Sequence, residues 1–277
     1  MFRRRNNGEL IDASVRIAFS RFSLFFGLTL LAMLPMLVFL ILMLWVQYYM
    51  PDAEGLRTMT EGEGLKMMLA FAGIGVIVLV GFIPSMWWMG WFHGALYVAI
   101  SRAALGGNPT FREAVRSGRS RAFSLSFVDM LIQMGFACGF IPGFIFAAFF
   151  WPAAPVISLE NSKFNDALGR SSNLTAGHRW RVLGLFVVMT FLVQMFSGPL
   201  MWPFAFVSQF KSLYNMPDWV LPLTAASYAI GIFLSLGLQL FIRVAQTLCY
   251  LDLRIRKEGL DLLMDGGVEE APPAIAV

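Results

Sequence analysis

Six apolar runs, at residues 23–47, 67–100, 122–141, 144–159, 182–209 and 219–250, constrain this chain more than anything else in it. A hydrocarbon core about 30 Å thick is crossed by about 20 apolar residues wound as α-helix, which satisfies its own peptide groups where lipid cannot. Apolar residues make up 58% of the 277 and charged ones 14%, where a soluble domain has about 45–50% and about 25%. The expectation is an all-α, polytopic membrane protein. One six-helix membrane domain covers residues 1–265, and a disordered tail, "GGVEEAPPAIAV", covers 266–277. The basic N-terminus has the charge of a signal peptide. The apolar run behind it is too long for one and lacks a small-residue cleavage site, so it is read as mature protein.

Several breaks can be placed. The second and sixth runs exceed one crossing and must tilt, kink or project into water. Pro84 in "GFIPSMWW" removes a helical hydrogen bond and predicts a kink. Pro199 and Pro203 in "SGPLMWP" predict an early end to the fifth helix. "IPG" at 141–143 predicts a tight turn between the third and fourth spans; a single broken helix over 122–159 is the alternative.

Orientation follows from Lys and Arg in the short loops. One side carries Arg3, Arg4, Arg5, Arg16 and Arg21, then Arg102, Arg112, Arg116, Arg119 and Arg121, then Lys163, Arg170, Arg179 and Arg181, and finally Arg254, Arg256 and Lys257. The other side carries only Arg57, Lys66 and Lys211. Seventeen against three places both termini in the cytoplasm of a six-span protein. A five-span chain would put two Arg-rich loops on opposite faces.

The basic segments resemble one another. "NNGELIDASVR", "GNPTFREAVRSGR" and "ENSKFNDALGRSS" each hold a bulky apolar residue, one residue more, an acid and alanine: Leu10 to Ala13, Phe111 to Ala114 and Phe164 to Ala167. Thr110 and Glu113 have capping-box spacing. Three short amphipathic cytoplasmic helices are predicted, each leading into a helical hairpin. Either the unit is repeated three times, or three surface helices converged on an acid near the N-terminus and basic residues after it.

Polar residues within the runs are candidates for a site. Asp129 lies seven residues into the third span, about 10 Å deep. Arg243 lies seven residues before the cytoplasmic end of the sixth. A charge in hydrocarbon faces the bundle interior and a partner. Gln133, Gln239, Gln246 and His93 fall at neighbouring depths, so the six residues predict one intramembrane polar cluster. It reads either as a proton or substrate pathway or as a structural ion pair holding spans three and six in register. Gly90-x-x-x-Gly94, Gly135-x-x-x-Gly139 and Gly139-x-x-x-Gly143 would permit close helix approach. Trp87, Trp88, Trp91, Trp151 and Trp202 fit an aromatic belt.

No Walker loop, HExxH, GxSxG or metal-ligand cluster stands in the sequence, and Cys138 and Cys249 form no CxxC. No enzyme, metal or cofactor is expected, and nothing points to nucleic acid. The expected partners are the bilayer, anionic lipid headgroups at the arginine loops, and other membrane proteins.

The stretches "GELIDASVRIAFSRF", "GGNPTFREAVRSGRSRAF", "APVISLENSKFNDALGRSSNLTAG" and "YLDLRIRKEGLD" together resemble the glycerophosphoryl diester phosphodiesterase membrane domain. The likeness covers residues 8 to about 262. It implies a six-span bacterial inner-membrane protein, in some relatives fused to a catalytic barrel that this chain has no room for. "GHRW" at 177–180 is similar to the His-Arg of such barrels but stands where a span begins, as a basic-aromatic membrane edge. The fourth stretch holds Tyr250, Asp252, Arg254, Arg256, Lys257 and Glu258. It reads as a stop signal, with Tyr250 anchoring at the interface and the three cations on the cytoplasmic side; the resemblance adds a docking surface. The function expected is that of an accessory or organising membrane protein. The alternative is a small transporter or lipid-handling protein using the polar cluster.

Overall fold

The computed structural model describes residues 6–49, 60–210, 217 and 219–259, and every regular element among them is a helix. The tail from residue 266, Arg3, Arg4, Arg5, Arg57 and Lys211 lie outside these residues. The helices are α1 (Asn7–Ser20), α2 (Phe22–Tyr49), α3 (Glu61–Ala104), α4 (Phe111–Gly118), α5 (Ala122–Ala137), α6 (Phe140–Phe150), α7 (Ala153–Glu160), α8 (Phe164–Thr175), α9 (Arg179–Phe210) and α10 (Val220–Glu258), with a 3₁₀ turn at Arg119–Arg121. Among the described residues, five segments are long and apolar enough to cross a membrane: Phe22–Phe39, Gly62–Ala104, Phe140–Glu160, Arg179–Val207 and Pro222–Glu258.

The helix starts follow from local chemistry. Asn6 accepts the Glu9 N–H at 2.9 Å and caps α1. Thr60 and Glu63 form a capping box on α3, and Thr110 and Glu113 form another on α4. α3 includes Pro84 within one helix, and α9, expected to end early, continues past Pro199 and Pro203 to Phe210. Packing against a neighbouring helix can hold a proline-containing helix together in lipid, and α9 lies along α10.

The 122–159 region is a hairpin, but its turn is not at 141–143. α5 ends at Ala137, and Gly139, at φ +135, makes the reversal. That region of backbone space is open to glycine and strained for other residues. Pro142 lies in the first turn of α6, where a missing N–H costs nothing. Gly143 is a contact instead: a Cβ there would lie 2.3 Å from the Phe136 ring. The fourth run is also not one helix. It divides at Trp151 and Pro152 into α6 and the buried α7.

The core sits at one end of the bundle. Residues 92–101 of α3 and 244–255 of α10 are buried without interruption, among α1, α7 and α8. Outward from there, Leu65, Met68, Val76, Leu79 and Val80 of α3 are all more than half exposed. α1, α4 and α8 gather at the core end, each followed by a helical pair. The alanine of the shared pattern is buried in α4 (Ala114) and α8 (Ala167); in α1 the buried positions are Leu10, Ser14 and Ala18, so the register differs there.

Candidate functional site

Close glycine packing sets the site. A Cβ on Gly90 would lie 1.8 Å from the Ala122 carbonyl oxygen, and one on Gly118 would lie 2.4 Å from the Trp91 oxygen. α5 therefore starts directly against the backbone of α3. Trp91 Nε1 donates to the Val115 carbonyl at 2.6 Å, and Trp88 Nε1 donates to Leu31 at 2.6 Å. Each of these two indoles joins two helices. Trp151 is likewise buried at 3% exposure.

With α3 and α5 in contact, His93 and Asp129 meet. His93 Nδ1 is 3.1 Å from Asp129 Oδ2. From α10, Arg243 grips the same carboxylate with both terminal nitrogens, Nη1 to Oδ1 at 2.9 Å and Nη2 to Oδ2 at 3.0 Å. Bidentate geometry makes this the strong form of a charge-assisted bond. Arg243 Nη1 also donates to Tyr97 Oη at 2.7 Å and to Gln246 Oε1 at 3.4 Å. Tyr97 donates to Gln246 Oε1 at 2.6 Å, and the Gln246 amide donates to the Trp151 carbonyl. The three helices that supply these groups are joined at one level. His93 is nine residues from Arg102, Asp129 is eight from Arg121 and Arg243 is nine from Asp252, each about 12–14 Å from the charged end.

Of the six residues predicted for the cluster, four belong to this network: His93, Asp129, Arg243 and Gln246. Among the described residues, no hydrogen bond joins Gln133 or Gln239 to it. They stand one turn further out and line a cavity of about 440 Å³ that opens over the network. His93, Asp129 and Arg243 border the same space, and Asp129 keeps 25% of its side-chain surface accessible there. Six methionines complete the walls: Met33, Met36, Met86, Met89, Met130 and Met201. Among the described residues, His93 Nε2 and Arg243 Nε are buried without a hydrogen-bond partner. Tyr97, missed by sequence reading, is fully buried one helical turn from His93. Its position four residues on was the only signal, and an apolar run hides it.

The six residues of the fourth signature stretch form a second network at the charged end. Tyr250 does not anchor at an interface. It is fully buried and donates to Glu160 Oε1 at 2.8 Å. Arg254, 7% exposed, holds Glu258 Oε2 at 2.8 Å and Tyr250 Oη at 3.2 Å. Asp252, 3% exposed, accepts from Arg256 at 2.7 Å and pairs with Arg181 of α9 at 2.8 Å. Arg181 in turn donates to Asn7 of α1 at 3.0 Å. Arg170 of α8 bridges Glu160 and Glu258, and Lys257 donates to the Asn173 carbonyl. The stretch thus clamps α1, α7, α8 and α9 onto α10. Among the described residues no three of His, Cys, Asp and Glu gather as a metal site would require.

No curated protein and no solved structure matches the chain. Residues 65–253 match the sequence model of a family described as a domain of unknown function, DUF7847. That segment holds His93, Asp129 and Arg243, most of α3 and α10 and everything between them, while α2 and residues 254–258 of the charged network lie outside it, and this chain belongs to that family.

Proposed function

We propose that this chain is a bacterial inner-membrane protein that takes an amphipathic ligand into the cavity over the Asp129–Arg243 pair, in a lipid-handling or transport role. The cavity carries this reading. A purely structural ion pair would be packed over, whereas this one borders about 440 Å³ of space, within the about 300–1,000 Å³ usual for a small-molecule site. Its floor is charged and its walls are largely thioether and hydrocarbon, which suits a ligand with one polar end. Chemistry at the floor has little support. Ser126 donates to the Met86 carbonyl and Ser235 to the Ile232 carbonyl at 2.8 Å, so neither hydroxyl serves His93 as a nucleophile.

The proposal includes the topology. α1, α4 and α8 would be amphipathic helices on the cytoplasmic face, between three membrane hairpins, giving six membrane-inserted segments with both termini inside. The arginine asymmetry and the gathering of these helices at one end support it. The likeness to the glycerophosphoryl diester phosphodiesterase membrane domain is carried only this far: a helical membrane module without the barrel. A second reading, an accessory subunit with a protein partner, is favoured by the exposed outer stretch of α3.

Native mass spectrometry of the full chain released from lipid nanodiscs tests the ligand reading. A retained small amphiphile is expected, and Met130→Trp, which fills the cavity, should lose it while melting as the parent does. Identical spectra from parent and variant would overturn it.

A further inference from the structure

We infer that the cavity takes an uncharged lipid with a hydroxyl head, recognised by Gln133 and Gln239. This deepens, and rests on, the reading of the cavity as a ligand site. The charge arrangement argues against an ionic head. Asp129 and Arg243 compensate each other through two short bonds, so the floor presents no net charge. Both terminal nitrogens of Arg243 are already committed, to Asp129 and, for Nη1, also to Tyr97 and Gln246. An anion entering here would approach the Asp129 carboxylate with no cation left over for it. A cation would face Arg243 in the same position. Either would be desolvated without compensation.

The amides favour a hydroxyl. Gln133 and Gln239 line the cavity one turn outward from Asp129 and Arg243, and their amides find no partner among the described residues. Each amide offers two N–H donors and a carbonyl acceptor. A hydroxyl can donate one proton and accept at two lone pairs. It can therefore donate to one amide carbonyl and accept from the amide N–H groups. Outward of these residues the methionines offer a flexible, polarisable lining that fits a chain of no fixed shape.

The full chain in phosphatidylcholine nanodiscs would be treated with three photoactivatable probes of one chain length. They are a fatty alcohol, an alkyl sulfate and an alkyl trimethylammonium, with labelled residues mapped by mass spectrometry. The alcohol is expected to label cavity residues of α5 and α10, such as Met130 and Leu236, and the charged probes to label only the lipid-facing surface. Gln133→Leu with Gln239→Leu should cut cavity labelling by about tenfold, the effect of two lost hydrogen bonds, at unchanged melting temperature. Cavity labelling by either charged probe at the level of the alcohol overturns the head-group assignment and leaves the ligand site standing. Alcohol labelling indifferent to both substitutions also overturns the assignment. Absence of cavity labelling by every probe overturns both.

Discussion

Asp129 and Arg243 could be paired from the sequence because charges are scarce in apolar runs and these two share a depth. Tyr97 could not, because one hydroxyl on an aromatic ring leaves no mark in hydropathy. The pair has a measurable consequence. Removing one member of a buried ion pair leaves the other uncompensated and costs about 3–5 kcal/mol, whereas replacing both with apolar groups of similar size costs far less. Asp129→Leu and Arg243→Met are each expected to lower the melting temperature, and the double variant to recover most of the loss. Equal stability of the single variants and the parent would show that the pair contributes nothing. Glu113 offers a test outside the membrane. Its carboxyl is held below the usual range first by the Thr110 hydroxyl and backbone, then by Arg102 at 3.0 Å. A depressed folded value means that its contribution is present above the unfolded value and is lost as pH falls through the folded one. Amide exchange at the start of α4 should therefore accelerate on acidification. In Glu113→Gln, which still caps but does not titrate, that acceleration should be absent.

Secondary structure was legible in outline, because long apolar runs between basic loops admit only helices. Details were lost wherever glycine and proline have two meanings. "IPG" looked like a turn, yet its proline sits harmlessly in a first turn and its glycine is a packing contact, while the reversal falls on Gly139. Likewise Pro199 and Pro203 suggest a helix end that neighbouring helices prevent. The Gly90-x-x-x-Gly94 pattern, common in such sequences, has a definite job here. A Cβ at Gly90 would overlap the Ala122 carbonyl and the Ser126 hydroxyl, both on backbone that positions Asp129. Gly90→Ala must push α5 away from α3 and should melt well below the parent. Gly73→Ala, in the same helix with nothing within 4 Å of its Cβ, should be neutral or more stable by about 0.5–1 kcal/mol, the helix preference of alanine over glycine. If both variants melt alike, close packing of α3 on α5 is not what assembles the site.

Seen entire, the molecule is uneven across its length, and this bears on how it would sit in a bilayer. α3, at 44 residues, is about 66 Å long and α10, at 39, about 58 Å, roughly twice a hydrocarbon core. Ordinary tilts of about 20° shorten such helices little, so both must project beyond the membrane. The middle hairpin has the opposite character. α5 has 16 residues, about 24 Å, and starts at the arginine-rich end. Measured from that end, its tip at Cys138 falls several ångströms short of the far side of a core about 30 Å thick. The sequence could not show this, because the third and fourth runs were bounded by hydropathy and not by the turn. Two outcomes follow for intact cells. A membrane-impermeant maleimide should leave Cys138 unmodified, although the thiol is exposed on the protein surface, because lipid covers it. The same reagent should modify a cysteine placed at Gly62, where nothing lies within 4 Å of a new side chain, in a background of Cys138→Ser. Buried Cys249 should stay silent in both. Labelling of Cys138 from outside would mean that the hairpin crosses completely. Reporter fusions at residue 60 and after residue 265 fix the remaining choice, since an even number of passages keeps both termini inside either way. A periplasmic reporter after residue 265 would break that parity, and α1, α4 and α8, with the arginines in and around them, could then not all share the cytoplasmic face.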